Sequence, residues 1–189
     1  KPAREDGSIG IQFGAVCNSI KELMERLDYI HQHFHTPALI EEYIEGRELY
    51  VGVLGNEKPE ALPVVELDLS KLPEGTPKIA GTEVKWEEDT DAYKKTQPFF
   101  PDDLEDAQLE KIRDMAIQAY QALQLRDYGR IDFRLAKDGT LHVLEANPNP
   151  YLLPSAEFSL AAKQSGRSYS DLIGEIVDLA MGRYGNGHS

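Results

Sequence analysis

Apolar residues recur along the chain in two rhythms, and the changes of rhythm mark the elements. Over 19–34, "SIKELMERLDYIHQHF", Ile20, Leu23, Met24, Leu27 and Ile30 fall at helical spacing behind a Ser19/Glu22 capping pair. Pro37 closes that helix. "ALIEEYIEG", "RELYVGVLG" and "ALPVVELDL" then read as three strands. Residues 71–101 carry Pro, Gly and charge with little periodicity, which predicts a long lid-like loop. A helix is predicted over 102–124, with Leu104, Leu109, Ile112, Ala116, Ile117, Tyr120 and Leu123 on its apolar face and acids in its first turn. Two short helices follow near 155–165 and 168–182, and the 183–189 tail is expected to fray.

Between them lies "GRIDFRLAKDGTLHVLEANPNP", residues 129–150. Asp138-Gly139 between extended runs predicts a hairpin with a two-residue turn. That register sets Lys137 opposite Thr140, Leu135 opposite His142 and Phe133 opposite Leu144. It also pairs Asp132 with Glu145 and Arg130 with Asn147. Ile131, Phe133, Leu135, Leu144 and Ala146 then form a core face, and Arg130, Asp132, Glu145 and Asn147 a polar one. Two facing carboxylates ~5 Å apart at an effective dielectric of ~20 repel by about 3 kcal/mol. Two cations can offset this: Arg130, in an ordinary solvated Arg–acid network, or a hard divalent ion taking two carboxylates and an amide oxygen. Residue types alone leave both readings open.

The net charge of -13 argues against a general nucleic-acid binder. A single cysteine, Cys17, excludes an internal disulfide and a cysteine-cluster zinc site, and points to a reducing, cytoplasmic setting. No apolar run is long enough for a membrane helix. Three alternating histidines, His31, His33 and His35, do not align on one helix face and read as structural or solvated. The chain opens on Lys1 rather than Met, which suggests that residues precede it.

Four motifs in order, "KPAREDGSIGI", "LIEEYIEGREL", "EVKW" and the hairpin with "EANPNP", resemble the ATP-grasp superfamily, and more narrowly the C-terminal part of D-alanine–D-alanine ligases. The similarity runs from Lys1 to about residue 182. It implies an α+β ATP-grasp fold of antiparallel sheets flanked by helices, one domain over 1–182. It also implies how residues are used. Lys1 and the loop Ser8, Ile9, Gly10 would meet ATP phosphates, and Glu41, Glu42, Tyr43 and Ile44 would meet adenine. Glu48 would hold the ribose and Lys85 the γ-phosphate from a mobile loop. Asp132, Glu145 and Asn147 would bind Mg²⁺ or Mn²⁺, and Arg130 would stabilise the tetrahedral intermediate.

The implied activity is an ATP-dependent carboxylate–amine ligation through an acylphosphate, within peptidoglycan biosynthesis, on amino acids or dipeptides. The alternative is a nucleotide-binding or regulatory module without ligase chemistry. The resemblance further implies a partner N-terminal domain of the same protein and a homodimer as a candidate assembly, with no nucleic acid or membrane. Two departures concern the substrate. Tyr151 takes the place of a glycine whose backbone helps the tetrahedral oxygen, and Ala156, not Ser155, aligns with the serine for the substrate carboxylate. Gly7 also stands where the family often has serine. Tyr151 and Ser155 remain the substrate-side candidates, and Trp86 and Tyr93 are read equally as packing on a ligand or within the lid.

Overall fold

The computed structural model describes residues 1–85, 87 and 89–185. Trp86 and the last four residues of the expected tail lie outside the described residues. The chain divides into two compact units, Lys1–Gly46 with Leu67–Gln97, and Arg47–Glu66 with Pro98–Ser189.

The first unit is built on α1, Ile20–Phe34. Ser19 caps it by accepting the Glu22 N–H, as its sequence predicts, but Glu22 reaches back to the Asn18 N–H at 2.7 Å rather than to that of Ser19. His35 ends the helix at φ +49. The loop ahead of α1 turns through Gly7, Ser8 and Gly10, all at positive φ. A Cβ on Gly10 would come within 2.6 Å of Pro2 and 2.9 Å of Phe34, so this position requires glycine on two counts.

Two expectations in this unit fail. The strand over 38–46 does not form. A single bridge pairs Pro2 with Ala38, and Leu39 donates its N–H to the Lys1 carbonyl at 2.7 Å. The 71–101 stretch is not one open loop. It contains α2, Thr82–Lys85, and α3, Asp91–Lys95, and it buries Leu72, Ile79, Ala80, Val84 and Thr96. Apolar anchors this sparse have no period, so the sequence pattern misses them.

The second unit carries a sheet. Its strands are β1 Gly46–Leu54, β2 Glu60–Ala61, β3 Val65–Leu67, β4 Pro98–Phe99, β5 Tyr128–Ala136 and β6 Leu141–Asn147. Their order is β4-β3-β1-β5-β6, with β2 antiparallel to β1 off that path. The expected strand over 61–69 is split into β2 and β3 on either side of Pro63, which lacks a ladder N–H. Leu49, Val51 and Val53 of β1 and Ile131, Phe133 and Leu135 of β5 share one core with Ile112, Ala116 and Tyr120 of α4, Asp106–Ala122. Two details of α4 differ from its pattern. It starts at Asp106 behind the extended N-cap Glu105, with Asp103 ahead of it paired to Arg47 at 2.7 Å, and Leu123, its C-cap, is 59% exposed.

Gly129 permits this packing, since a Cβ there would lie 2.6 Å from Leu125 and 3.2 Å from Tyr120. The last helices are α5, Glu157–Gln164, and α6, Tyr169–Gly185, so residues 183–185 of the expected tail are helical. Arg183 forks onto Asp127, and Asn56 donates to the Leu179 carbonyl, tying α6 to the sheet's loops.

The hairpin corrects its own prediction twice. Gly139, at φ +84, follows a turn closed by its N–H on the Ala136 carbonyl, and Ala136 pairs with Thr140, giving a three-residue loop. Leu135 therefore faces Leu141 and Phe133 faces Val143, not His142 and Leu144. A bulge between Asp132 and Phe133 then restores the expected register, Asp132 opposite Glu145 and Arg130 opposite Asn147. Leu144 is the extra residue of the bulge and is 39% exposed, not core.

Candidate active site

Strand alternation places the even residues of β1 and β5 on the face away from α4. On β5 these include Arg130, Asp132 and Arg134, and on β1 Glu48, Tyr50 and Gly52. Five of the six are polar or charged side chains, and all five are buried. Burial of charge is tolerated only with full pairing, and the pairing is extensive. Arg130 donates Nε and Nη2 to the two oxygens of Asp132 at 2.7 and 2.8 Å. Its third arm, Nη1, lies 3.3 Å from Glu157 Oε2. Its guanidinium sits 4.6 Å over the ring of Tyr50. Tyr50 in turn donates to Glu48 at 2.7 Å, and Arg134 donates to the other Glu48 oxygen at 3.1 Å.

Burial alone would lower the pKa of Arg130, but the Asp132 charge and its fork outweigh that and raise it. Burial pushes the Tyr50 hydroxyl well up, with the Glu48 charge adding to it. Both groups therefore stay protonated at any working pH, Arg130 as a fixed cation and Tyr50 as a fixed donor.

Of the two cations considered for the facing acids, Arg130 is present and directly bonded to Asp132. The donor set still fits a hard divalent ion. Each Asp132 oxygen uses one lone pair on Arg130 and keeps a second. Glu145 is exposed, and Asn147 Oδ1 accepts a local bond from the Asn149 N–H at 2.9 Å. Two carboxylates and an amide oxygen at one hairpin end are hard oxygen donors of the type Mg²⁺ takes. Among the described residues no cluster of three or more His, Cys, Asp or Glu side chains could hold a metal. Of the alternating histidines, His33 stacks on Tyr29 with ring centroids 4.2 Å apart, and its Nδ1 lies 2.8 Å from the Tyr29 carbonyl.

The remaining candidates on β6 and beyond are placed differently. Tyr151 and Ser155 are exposed in the segment leading to α5. The side chain which that segment sends to Arg130 is Glu157. Neither Glu157 nor Tyr50 stood out in the sequence, although Glu-x-Tyr on β1 and Arg-x-Asp-x-Arg on β5 already spelled a polar strand face.

The first unit holds the other candidates. Lys1 Nζ pairs with Glu41 at 2.8 Å. Glu42 and Tyr43 are exposed, and Ile44 is half-buried. The glycine loop is fastened rather than loose. Ser8 donates its hydroxyl to the Ala80 carbonyl at 3.0 Å, Thr82 donates to the Ser8 and Ile11 carbonyls, and Arg26 donates to the Gly10 carbonyl at 2.6 Å. Ile9 stays 46% exposed at its tip. Lys85 ends α2, half-buried, so it stands on a short helix and not in an unstructured stretch.

A family model described as "D-ala D-ala ligase C-terminus" matches residues 1–178. The chain belongs to that family. A Sinorhizobium fredii protein named as uncharacterized protein y4sG is 37% identical over 99% of this chain and 53% of its own length. The D-alanine–D-alanine ligase of Geobacillus thermodenitrificans is 33% identical over 97% of this chain and 46% of its own length. The chain thus spans about half the length of these relatives. Among solved structures, the D-alanine–D-alanine ligase from Coxiella burnetii aligns with a TM-score of 0.71 at 19% identity, over 90% of this chain and 41% of that one. The Bacillus anthracis ligase, solved complexed with ATP, aligns at 0.67 and 20% identity over 86% and 47%. The fold is therefore that of the C-terminal, ATP-grasp portion of these ligases. Among the described residues no helix is long and apolar enough to cross a membrane.

Proposed function

We propose that this chain is the nucleotide- and metal-binding part of a cytoplasmic ATP-dependent carboxylate–amine ligase of the D-alanine–D-alanine ligase type. One observation carries the reading. In a chain of this family, the hairpin register places Asp132 opposite Glu145 and Arg130 opposite Asn147, with Arg130 buried and permanently charged beside them. Asp132, Glu145 and Asn147 would hold Mg²⁺ or Mn²⁺. The metal would neutralise phosphate charge and orient the oxygens of ATP.

This chain's own residues do the rest. Lys1, Lys85 and the Ser8–Ile9–Gly10 loop bind phosphate. Glu41, Glu42, Tyr43 and Ile44 contact adenine. Glu48 takes the ribose. Arg130 meets the negative charge that grows on the carbonyl oxygen and departing phosphate as an amine attacks an acylphosphate. Amino acids or dipeptides are the substrates, with a further N-terminal domain of the same protein, in a homodimer, completing the enzyme. Its product would serve peptidoglycan synthesis, and residues 71–101 would act as the lid.

The test separates binding from chemistry. In the full-length protein, Arg130→Lys should lower acceptor-dependent amide formation roughly 100-fold or more, the scale of losing one positioned donor to a developing oxyanion. Mg–nucleotide affinity should change little. Equal loss of both would contradict the role given to Arg130. A regulatory module without ligase chemistry would bind nucleotide and release no phosphate with any amine.

A further inference from the structure

Tyr50 stands between two groups to which the ligase reading gives separate roles, Glu48 at the ribose and Arg130 at the tetrahedral intermediate. It is 1% exposed, so it acts through its neighbours and not on a ligand. Its two ends meet different neighbours. The hydroxyl donates to Glu48 Oε1 at 2.7 Å, two residues back on the same face of β1. The ring lies flat against the Arg130 guanidinium, whose carbon is 4.6 Å from the ring centroid.

Each end supplies a restraint of its own. Hydrogen bonds hold Arg130 at its edges, with Nε and Nη2 on Asp132 and Nη1 on Glu157, the last at 3.3 Å. Bonds at the edges leave the guanidinium plane free to tilt. A ring against its face opposes that tilt, and attraction between cation and ring adds to the restraint. Aim matters here, because a donor stabilises developing charge only when it already points at it. Glu48 is a rotamer-rich side chain. Tyr50 on Oε1 and Arg134 on Oε2, at 3.1 Å, hold both of its oxygens and so fix its carboxylate plane. Burial and the Glu48 charge keep the Tyr50 hydroxyl protonated, so this donor does not switch with pH.

We infer that Tyr50 is a positioning residue with two separable actions: its hydroxyl orients Glu48 for the ribose of the nucleotide, and its ring keeps Arg130 aimed at the reacting carbonyl. The inference rests on the ligase reading above and deepens it, since one buried side chain then serves both nucleotide recognition and chemistry.

The experiment compares wild type, Tyr50→Phe and Tyr50→Leu in the full-length protein. It measures phosphate release across a screen of amino-acid and dipeptide acceptors, with Mg–ATP and with Mg–2′-deoxy-ATP. Tyr50→Phe should shrink the KM preference for ATP over 2′-deoxy-ATP roughly fivefold or more and leave kcat within about twofold, as expected when one hydrogen bond to a charged group is lost away from the chemistry. Tyr50→Leu should lose the same preference and also show kcat roughly tenfold lower, because the ring is gone. Recovery of kcat by phenylalanine without recovery of the ribose preference is a pattern that general loosening of the core does not produce. If far-UV circular dichroism shows Tyr50→Leu unfolded, the more adaptable Tyr50→Met takes its place with the same expected values. An undiminished ribose preference in Tyr50→Phe, or equal kcat with and without the ring, overturns the proposal and leaves the ligase reading standing. Thermal stabilisation of wild type by Mg–nucleotide without phosphate release for any acceptor overturns the ligase reading, and this proposal with it.

Discussion

Asp132 sits between two opposed forces, and replacing it with asparagine shows which is larger. Its fork with Arg130 is made of two charge-assisted hydrogen bonds at 2.7 and 2.8 Å between side chains that are 7% and 10% exposed. Breaking a buried pair by removing one partner costs roughly 3–5 kcal/mol. Two effects reduce that figure. Glu157 remains 3.3 Å from Arg130, and the asparagine oxygen still accepts one of the two bonds. Against this stands relief of repulsion with Glu145. Because Glu145 is exposed, the pair interacts at close to the dielectric of water, where ~5 Å gives about 1 kcal/mol rather than the 3 expected for a buried pair. Asp132→Asn should therefore destabilise the metal-free chain by about 2–3 kcal/mol. Urea unfolding followed by far-UV circular dichroism in EDTA measures this, with an unchanged m-value showing that only stability moved. A neutral or stabilising result would mean that the repulsion dominates and that Arg130 is not what holds Asp132.

Two further outcomes test the scaffold behind the site. Gly52→Ala should cost about 1–3 kcal/mol, since the new methyl would meet Phe158 at 2.9 Å in a filled core; wild-type stability in the same unfolding assay would show that α5 is not seated on β1 as described. The Arg183 fork holds the Asp127 carboxyl below the usual carboxylate range, with burial opposing it. A depressed folded-state pKa contributes stability that is present above the unfolded value near ~4 and is lost as pH falls through the lower folded value. Acid unfolding of Asp127→Asn should accordingly show a shallower stability loss below about pH 4 than wild type, and parallel curves would contradict the assignment.

The core was the most legible part of the chain. Ile112, Ala116 and Tyr120 on α4, and Ile131, Phe133 and Leu135 on β5, obey their helical and alternating periods because burial on one face imposes a period. The pairing of Asp132 with Glu145 was reached by two errors that cancel. The loop holds three residues where Asp-Gly suggests two, and the bulge beyond Phe133 restores the lost residue. No residue pattern announces that bulge, since Val143 and Leu144 are both apolar and either could face the core. The polar face of β1 and β5 was only half seen. Arg130 follows from the hairpin register and Glu48 from the family resemblance, whereas Tyr50, Arg134 and Glu157 emerge only when strands and helix come together. Residues 71–101 mislead for a related reason: Leu72, Ile79 and Val84 are anchors spaced without rhythm.

The role of the hairpin end as a metal–nucleotide site is the claim on which the functional account rests. Calorimetric titration of this chain with a non-hydrolysable ATP analogue, with and without Mg²⁺, in wild type and Glu145→Gln tests it directly. Binding should require Mg²⁺ and weaken at least roughly tenfold in Glu145→Gln, as expected when one carboxylate ligand of a hard cation is lost. Affinity that is indifferent both to Mg²⁺ and to the loss of the Glu145 charge would leave the facing acids as a surface feature paired with Arg130 and nothing more.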